Sequence, residues 1–99
     1  EIPQRFELFQ NYPNPFNPVT RIRFQIPPLN LPLSGGDKLG VSLRIYDVLG
    51  KEINVLVNEN LKPGIYEIDW NAENIPSGVY FYSLITNEFT QTKKMVVLK

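Results

Sequence analysis

The sequence has no cysteine and no histidine. Without thiols there is no disulfide framework and no thiolate metal site, and without imidazole the commonest general base and commonest zinc ligand are missing. Most familiar catalytic constellations are thereby excluded, and no cofactor or metal is expected. The absence of cysteine is compatible with export but does not fix the compartment. Net charge is lacking too: ten Lys and Arg balance ten Asp and Glu. No basic field draws the chain to phosphate, so nucleic acid is not an expected partner. No apolar run approaches the roughly 18 residues of a membrane-spanning helix, the closing run Met95 to Leu98 being far too short. Glu1 opens neither a basic nor an apolar leader segment, and the expectation is a piece excised from something longer.

What remains is an ordinary globular composition. The 99 residues, 42% hydrophobic and 20% charged, fit one domain that on folding hides roughly 65% of the surface its unfolded chain exposes. Residues 1–99 are accordingly read as a single domain. Nine Pro and six Gly separate short runs rich in Val, Ile, Leu, Tyr and Phe, leaving little room for helices.

Thr20 to Ile26 alternates cleanly, with Ile22, Phe24 and Ile26 on one face and Arg21, Arg23 and Gln25 on the other. Val41, Leu43 and Ile45 alternate with Ser42, Arg44 and Tyr46 in the same way. Asp47 to Lys51 reads as a turn into a strand over Ile53 to Val57, making a hairpin. A strand from Ile65 to Trp70 puts Tyr66, Ile68 and Trp70 on one face. Val79 to Thr86 and Phe89 to Leu98 form a closing hairpin. With a first strand around Phe6 to Phe9, the chain reads as all-β, a seven-stranded antiparallel immunoglobulin-like β-sandwich. Ile22, Phe24, Leu43, Ile45, Ile68, Trp70 and Tyr80 are expected in its core. Pro27 to Gly40 holds three Pro and three Gly with no surviving period, and is read as the one long loop.

From Gln10 to Pro18, three prolines freeze φ and remove backbone donors. No strand or helix runs through such a segment, and Tyr12 and Phe16 are expected to plug one end of the sandwich. The acidic stretch Asp69 to Asn74 offers oxygen ligands but lacks the spacing of a calcium loop. A chain of this size rarely encloses the facing carboxylates that glycoside hydrolysis needs, and no enzyme is expected.

Four blocks occur in order: QNYPNPFNP followed by TRIRF, then IYDVLGKEI, then GIYEIDWNAENIPSGVYFYSL, then TKKMVVLK. Together, over Phe6 to Lys99, they resemble the type A C-terminal sorting domain of the type IX secretion system. The resemblance implies a non-catalytic immunoglobulin-like signal that directs a cargo across the outer membrane, for surface attachment or release. The cargo would lie N-terminal in the parent chain. The implied partners are the secretion translocon and a sortase-like signal peptidase that often joins cargo to a surface lipopolysaccharide. The implied route runs through the periplasm to the cell surface or the medium. Carried over by position, the recognition residues are Tyr12, Pro13, Asn14 and Pro15; Asp47, Gly50 and Lys51; Gly78, Tyr80 and Leu84; and Lys93, Lys94, Met95, Val96, Val97, Leu98 and Lys99. One departure is the 27–40 loop, longer than the family's usual link.

Relatives with a similar sandwich also serve as flagellar-hook scaffolding domains and as accessory modules of hydrolases, and the tail block argues against those. The other functional reading is a binding module for polysaccharide or cell surface, with Tyr66, Trp70 or Tyr82 exposed on one face. Under the sorting reading, Thr92 to Lys99 is expected to serve export more than folding, with the ammonium groups of Lys93, Lys94 and Lys99 in water.

Overall fold

The period-two alternation decides the architecture. In the computed structural model, which describes residues 2–29 and 37–99, seven strands form: β1 (Glu7–Leu8), β2 (Val19–Ile26), β3 (Leu39–Tyr46), β4 (Glu52–Leu61), β5 (Gly64–Asn71), β6 (Gly78–Ile85) and β7 (Thr90–Val97). No helix occurs among the described residues. Every strand pairing is antiparallel, in a three-stranded sheet ordered β1-β2-β5 and a four-stranded sheet ordered β4-β3-β6-β7. The fourth strand thus extends the sheet of the third, sixth and seventh, whereas constant-type immunoglobulin domains pair it with the fifth.

In β2, Thr20, Ile22, Phe24 and Ile26 point inward while Val19, Arg21 and Arg23 are exposed. The facing sheet supplies Val41, Leu43, Ile45, Tyr82, Leu84, Met95 and Val97 to the same core. Of the seven expected core residues six are buried; Ile68 is only half-buried because β5 is an edge strand with a neighbour on one side alone. Trp70 closes one end of the core, tilted against Phe16 with ring centres 5.9 Å apart and edge-on to Tyr80 at 6.4 Å. Phe6 stacks on Phe89 at 5.0 Å.

β4 runs four residues beyond its expected end at Val57, because Asn58, Glu59 and Asn60 pair with Ser42, Val41 and Gly40. Its register slips twice against β3, leaving Leu56 and Ile53 as extra residues. Such bulges re-aim side chains, and here Leu56 and Val57 in succession both pack on the core. Leu39 and Gly40, expected in the long loop, begin β3 instead and pair with Leu61 and Asn60. Residues 30–36 of that loop lie outside the described residues.

Candidate functional site

An edge strand leaves alternate backbone groups without a ladder partner. On β7 those groups belong to Lys94, Val96 and Leu98, and the proline block meets them. Gln10 Nε2 donates to the Lys94 carbonyl at 2.7 Å, and Asn14 Oδ1 accepts from the Val96 amide at 2.9 Å. The Phe16 amide donates to the Val96 carbonyl and the Leu98 amide to the Phe16 carbonyl, both at 3.0 Å. Pro13, Pro15 and Pro18 have no N–H to give, so the bonding falls to the residues between them. Phe16 forms a parallel bridge to Val97 and drops its ring into the core.

The block is held from behind by a buried polar network. The Asn11 amide donates to Tyr82 Oη at 2.7 Å, and Tyr82 Oη donates to the Phe9 carbonyl at 2.7 Å. Asn11 Nδ2 donates to Thr20 Oγ1 at 2.9 Å, and Thr20 Oγ1 to the Pro13 carbonyl at 2.8 Å. Burial pushes the Tyr82 hydroxyl up to about 12, against the lowering effect of the Asn11 amide. No buried side-chain polar atom among the described residues lacks a partner. Asn11, Thr20 and Tyr82 escape sequence reasoning because their chemistry exists only once distant segments meet, Asn11 and Tyr82 lying 71 positions apart.

The other end of the chain is tied down as well. The Lys99 amide donates to Ser77 Oγ at 2.9 Å, and its ammonium donates to the carbonyls of Glu73, at 2.6 Å, and Ile75. This corrects the expectation that all three lysines of the block keep their ammonium groups in water. Lys93 and Lys94 take part in no ion pair among the described residues. Of the side chains in the block, Met95 and Val97 pack inward as fully buried core members, so the closing residues contribute to folding as well. Their outward neighbours differ, Val96 half-buried and Leu98 exposed.

The remaining expected residues fall into three places. Asp47 builds the β3–β4 turn, its Oδ1 accepting from the amides of Leu49 and Lys51 at 2.9 Å each while its carbonyl accepts from Gly50. Gly50 has φ +84°, which explains the glycine. Gly78 and Tyr80 pair with Val97 and Met95, with Tyr80 Oη donating to the Pro76 carbonyl. Leu84 is core, out of reach of any partner. The structure therefore joins the proline and closing blocks, sets Gly78 and Tyr80 beside them, and puts the turn at the same end of the four-stranded sheet without bonding it to either. Tyr12 departs from expectation: Phe16 alone plugs the sandwich, while Tyr12 is 80% exposed, its backbone exchanging both bonds with Arg21.

Beside Tyr12 an open groove of about 610 Å³ runs along Phe9, Pro13, Arg21, Arg23, Glu67 and Asp69. Its charges satisfy one another. Arg21 Nε meets Asp69 at 2.8 Å and Arg23 approaches Glu67 at 4.0 Å, and the hydrogen bond from Arg21 holds the Asp69 carboxyl below its usual value. Among the described residues no group of three acidic, thiol or imidazole side chains converges for a metal. The polysaccharide reading loses its platform, because Trp70 and Tyr82 are buried and Tyr66 stacks on Phe24 with its hydroxyl on the Lys62 carbonyl.

Comparison with known proteins gives one finding and one blank. A family model described as secretion system C-terminal sorting domain matches residues 10–98. No curated protein matches the chain.

Proposed function

The chain belongs to the family of secretion system C-terminal sorting domains, and from that membership we propose that the joined proline and closing blocks are the surface the secretion apparatus reads. The domain is a non-catalytic sorting signal of the type IX system and sends the protein that bears it to the cell surface or beyond. Within that role, residues 1–99 act as one folded ligand behind a cargo. The translocon is the reader and a sortase-like peptidase the next partner, with the periplasm as the place of encounter. Tyr12, Pro13, Asn14 and Pro15, with Lys93, Lys94, Val96 and Leu98, supply the exposed atoms. Asp47, Gly50, Lys51, Gly78, Tyr80, Leu84, Met95, Val97 and Lys99 hold the frame.

The observation carrying this reading is the four-bond seam between Gln10, Asn14 and Phe16 and the edge of β7. It makes one continuous surface of two blocks far apart in sequence. The test is a reporter fused ahead of the chain, behind a signal peptide, in a host that has the secretion system. The parent fusion is expected at the surface or in the medium, and a chain lacking Met95 to Lys99 in the periplasm. Equal export of both would remove the closing block from recognition.

A further inference from the structure

The β3–β4 turn carries more than a turn needs. Its backbone is settled by Asp47, whose carboxylate caps two amides, and by Gly50 at φ +84°. The Gly50 amide returns to the Asp47 carbonyl and the Asp47 amide to the Lys51 carbonyl, each at 3.0 Å. This is a three-residue hairpin loop closed by a glycine in the left-handed region. Such a loop asks for Asp at its first position and Gly at its last, met here by Asp47 and Gly50, and accepts most residues at the two positions between, so nothing in the turn requires apolar side chains there. Those two positions hold Val48 and Leu49, 65% and 89% exposed. Neither packs on the core, so packing does not call for apolar side chains at these positions.

We infer that Val48 and Leu49 form a rigid apolar knob that inserts into an apolar pocket, bordered by carboxylates, on the protein of the secretion machinery that receives this domain. The inference rests on the sorting reading and names a contact within it. Three features support that partner chemistry. The turn is fixed before binding by four hydrogen bonds, so little order remains to be lost on docking. The fully buried centre of a protein interface is more apolar than its polar rim, and two adjacent exposed aliphatic side chains fit such a centre. The rim here is cationic: Lys51 is exposed with no ion pair among the described residues, while the Asp47 carboxylate is taken up by backbone amides. Arg21, Arg23 and Arg44 by contrast all have carboxylate partners, whereas Lys93 and Lys94 share the lack of an ion pair among the described residues. The knob sits at the end of the four-stranded sheet where Tyr46 faces Phe81 and Phe81 faces Lys94, the end that also carries the closing block, so one receptor can grip both.

The test compares reporter fusions of the parent, a Val48→Asn/Leu49→Asn variant and a Val48→Leu/Leu49→Met variant, with melting temperatures of the same chains. The Asn pair is expected to melt within a few degrees of the parent and to lose about tenfold in export rate, the scale of one modest apolar contact. The Leu/Met pair is expected to export like the parent. Full export of the Asn pair overturns the knob, as does equal failure of the Leu/Met pair or an export loss matched by a collapse in melting temperature. Failure of the parent fusion itself would instead strike the sorting reading, which keeps the two apart.

Discussion

The edges of β7 and β5 pose the same physical problem, a row of backbone groups that invites pairing with another chain, and the fold treats them differently. On β7 the proline block reaches over and bonds the free groups of Lys94, Val96 and Leu98. On β5 the Ala72 amide returns to the Pro18 carbonyl, a parity that turns the odd-numbered positions Ile65, Glu67 and Asp69 outward. No described backbone bond meets them there. Glu67 and Asp69 instead place carboxylates along the rim, steadied by Arg21 and Arg23. An edge guarded by charge depends on single exposed side chains. One guarded by backbone pairing depends on whatever holds the cover in place, here Asn11, Thr20, Tyr82 and Phe16.

Trp70 belongs to both edges, standing near the end of β5 with its ring against Phe16 of the cover, so its removal should break the comparison altogether. Trp70→Ala is expected to cost about 3–5 kcal/mol, a large share of the roughly 5–10 available to so small a domain. The melting temperature should drop by more than about 12 °C. A shift of only a few degrees in a thermal melt would mean the two edges are independent.

Tyr82→Phe attacks the anchor of the β7 cover while leaving β5 alone. The Asn11 amide and the Phe9 carbonyl both lose their partner, at a cost of about 1–3 kcal/mol. The pH dependence adds a second reading. Because the folded protein holds the Tyr82 proton up to about pH 12 while an ordinary tyrosine releases it near 10.0, the folded state binds more protons between those values. Stability is therefore intact below about pH 10 and falls as pH rises from about 10 to about 12. Chemical denaturation across that window should give a shallower descent for Tyr82→Phe than for the parent. Parallel descents would place the tyrosine outside the linkage.

How much of this was legible beforehand follows the same division. The strands over Thr20 to Ile26 and Val41 to Tyr46 announce themselves, because a sheet with one buried face writes a period of two into the sequence. β4 was read short since Asn58, Glu59 and Asn60 lie on an outer edge, where no burial imposes a pattern. The family resemblance found the proline and closing blocks, but their seam was invisible: an aperiodic segment has no face, so nothing distinguished Phe16, which goes in, from Tyr12, which stays out. Leu84 entered the recognition set by position and proved to be core. Ile68 was placed on the correct face of β5 and is only half-buried, a matter of strand order that its own alternation does not encode.

Asn14→Ala sharpens the contrast at a single bond. The Val96 amide loses the acceptor that lies 2.9 Å away but lies near solvent that replaces it in part, so the cost should be about 0.5–1.5 kcal/mol. Amide hydrogen exchange at Val96 should quicken well beyond what global destabilisation explains, while exchange in β5 stays as in the parent. Unchanged exchange at Val96 would show that the cover is held by Phe16 alone.

The smallest change in melting temperature is expected for Lys93→Glu/Lys94→Glu. Neither lysine has an ion pair among the described residues, and charges of this kind contribute little to stability in salt. Lys99 is left intact, because its ammonium holds the Glu73 and Ile75 carbonyls and its loss would confuse folding with recognition. The pair leaves the seam untouched, since Gln10 bonds the backbone carbonyl of Lys94 and not its side chain. A melt within a few degrees of the parent is therefore the structural expectation. Export is a different matter: a receptor with an acidic surface meets two carboxylates in place of two ammonium groups, and the encounter slows. Reporter should accumulate in the periplasm, and more so at low ionic strength, where like charges repel over a longer range. A Lys99→Glu variant should behave in the reverse order, losing stability first. If the double variant exports at the parent rate, the lysines of β7 are merely solvated, and recognition of that edge rests on the proline block and Leu98.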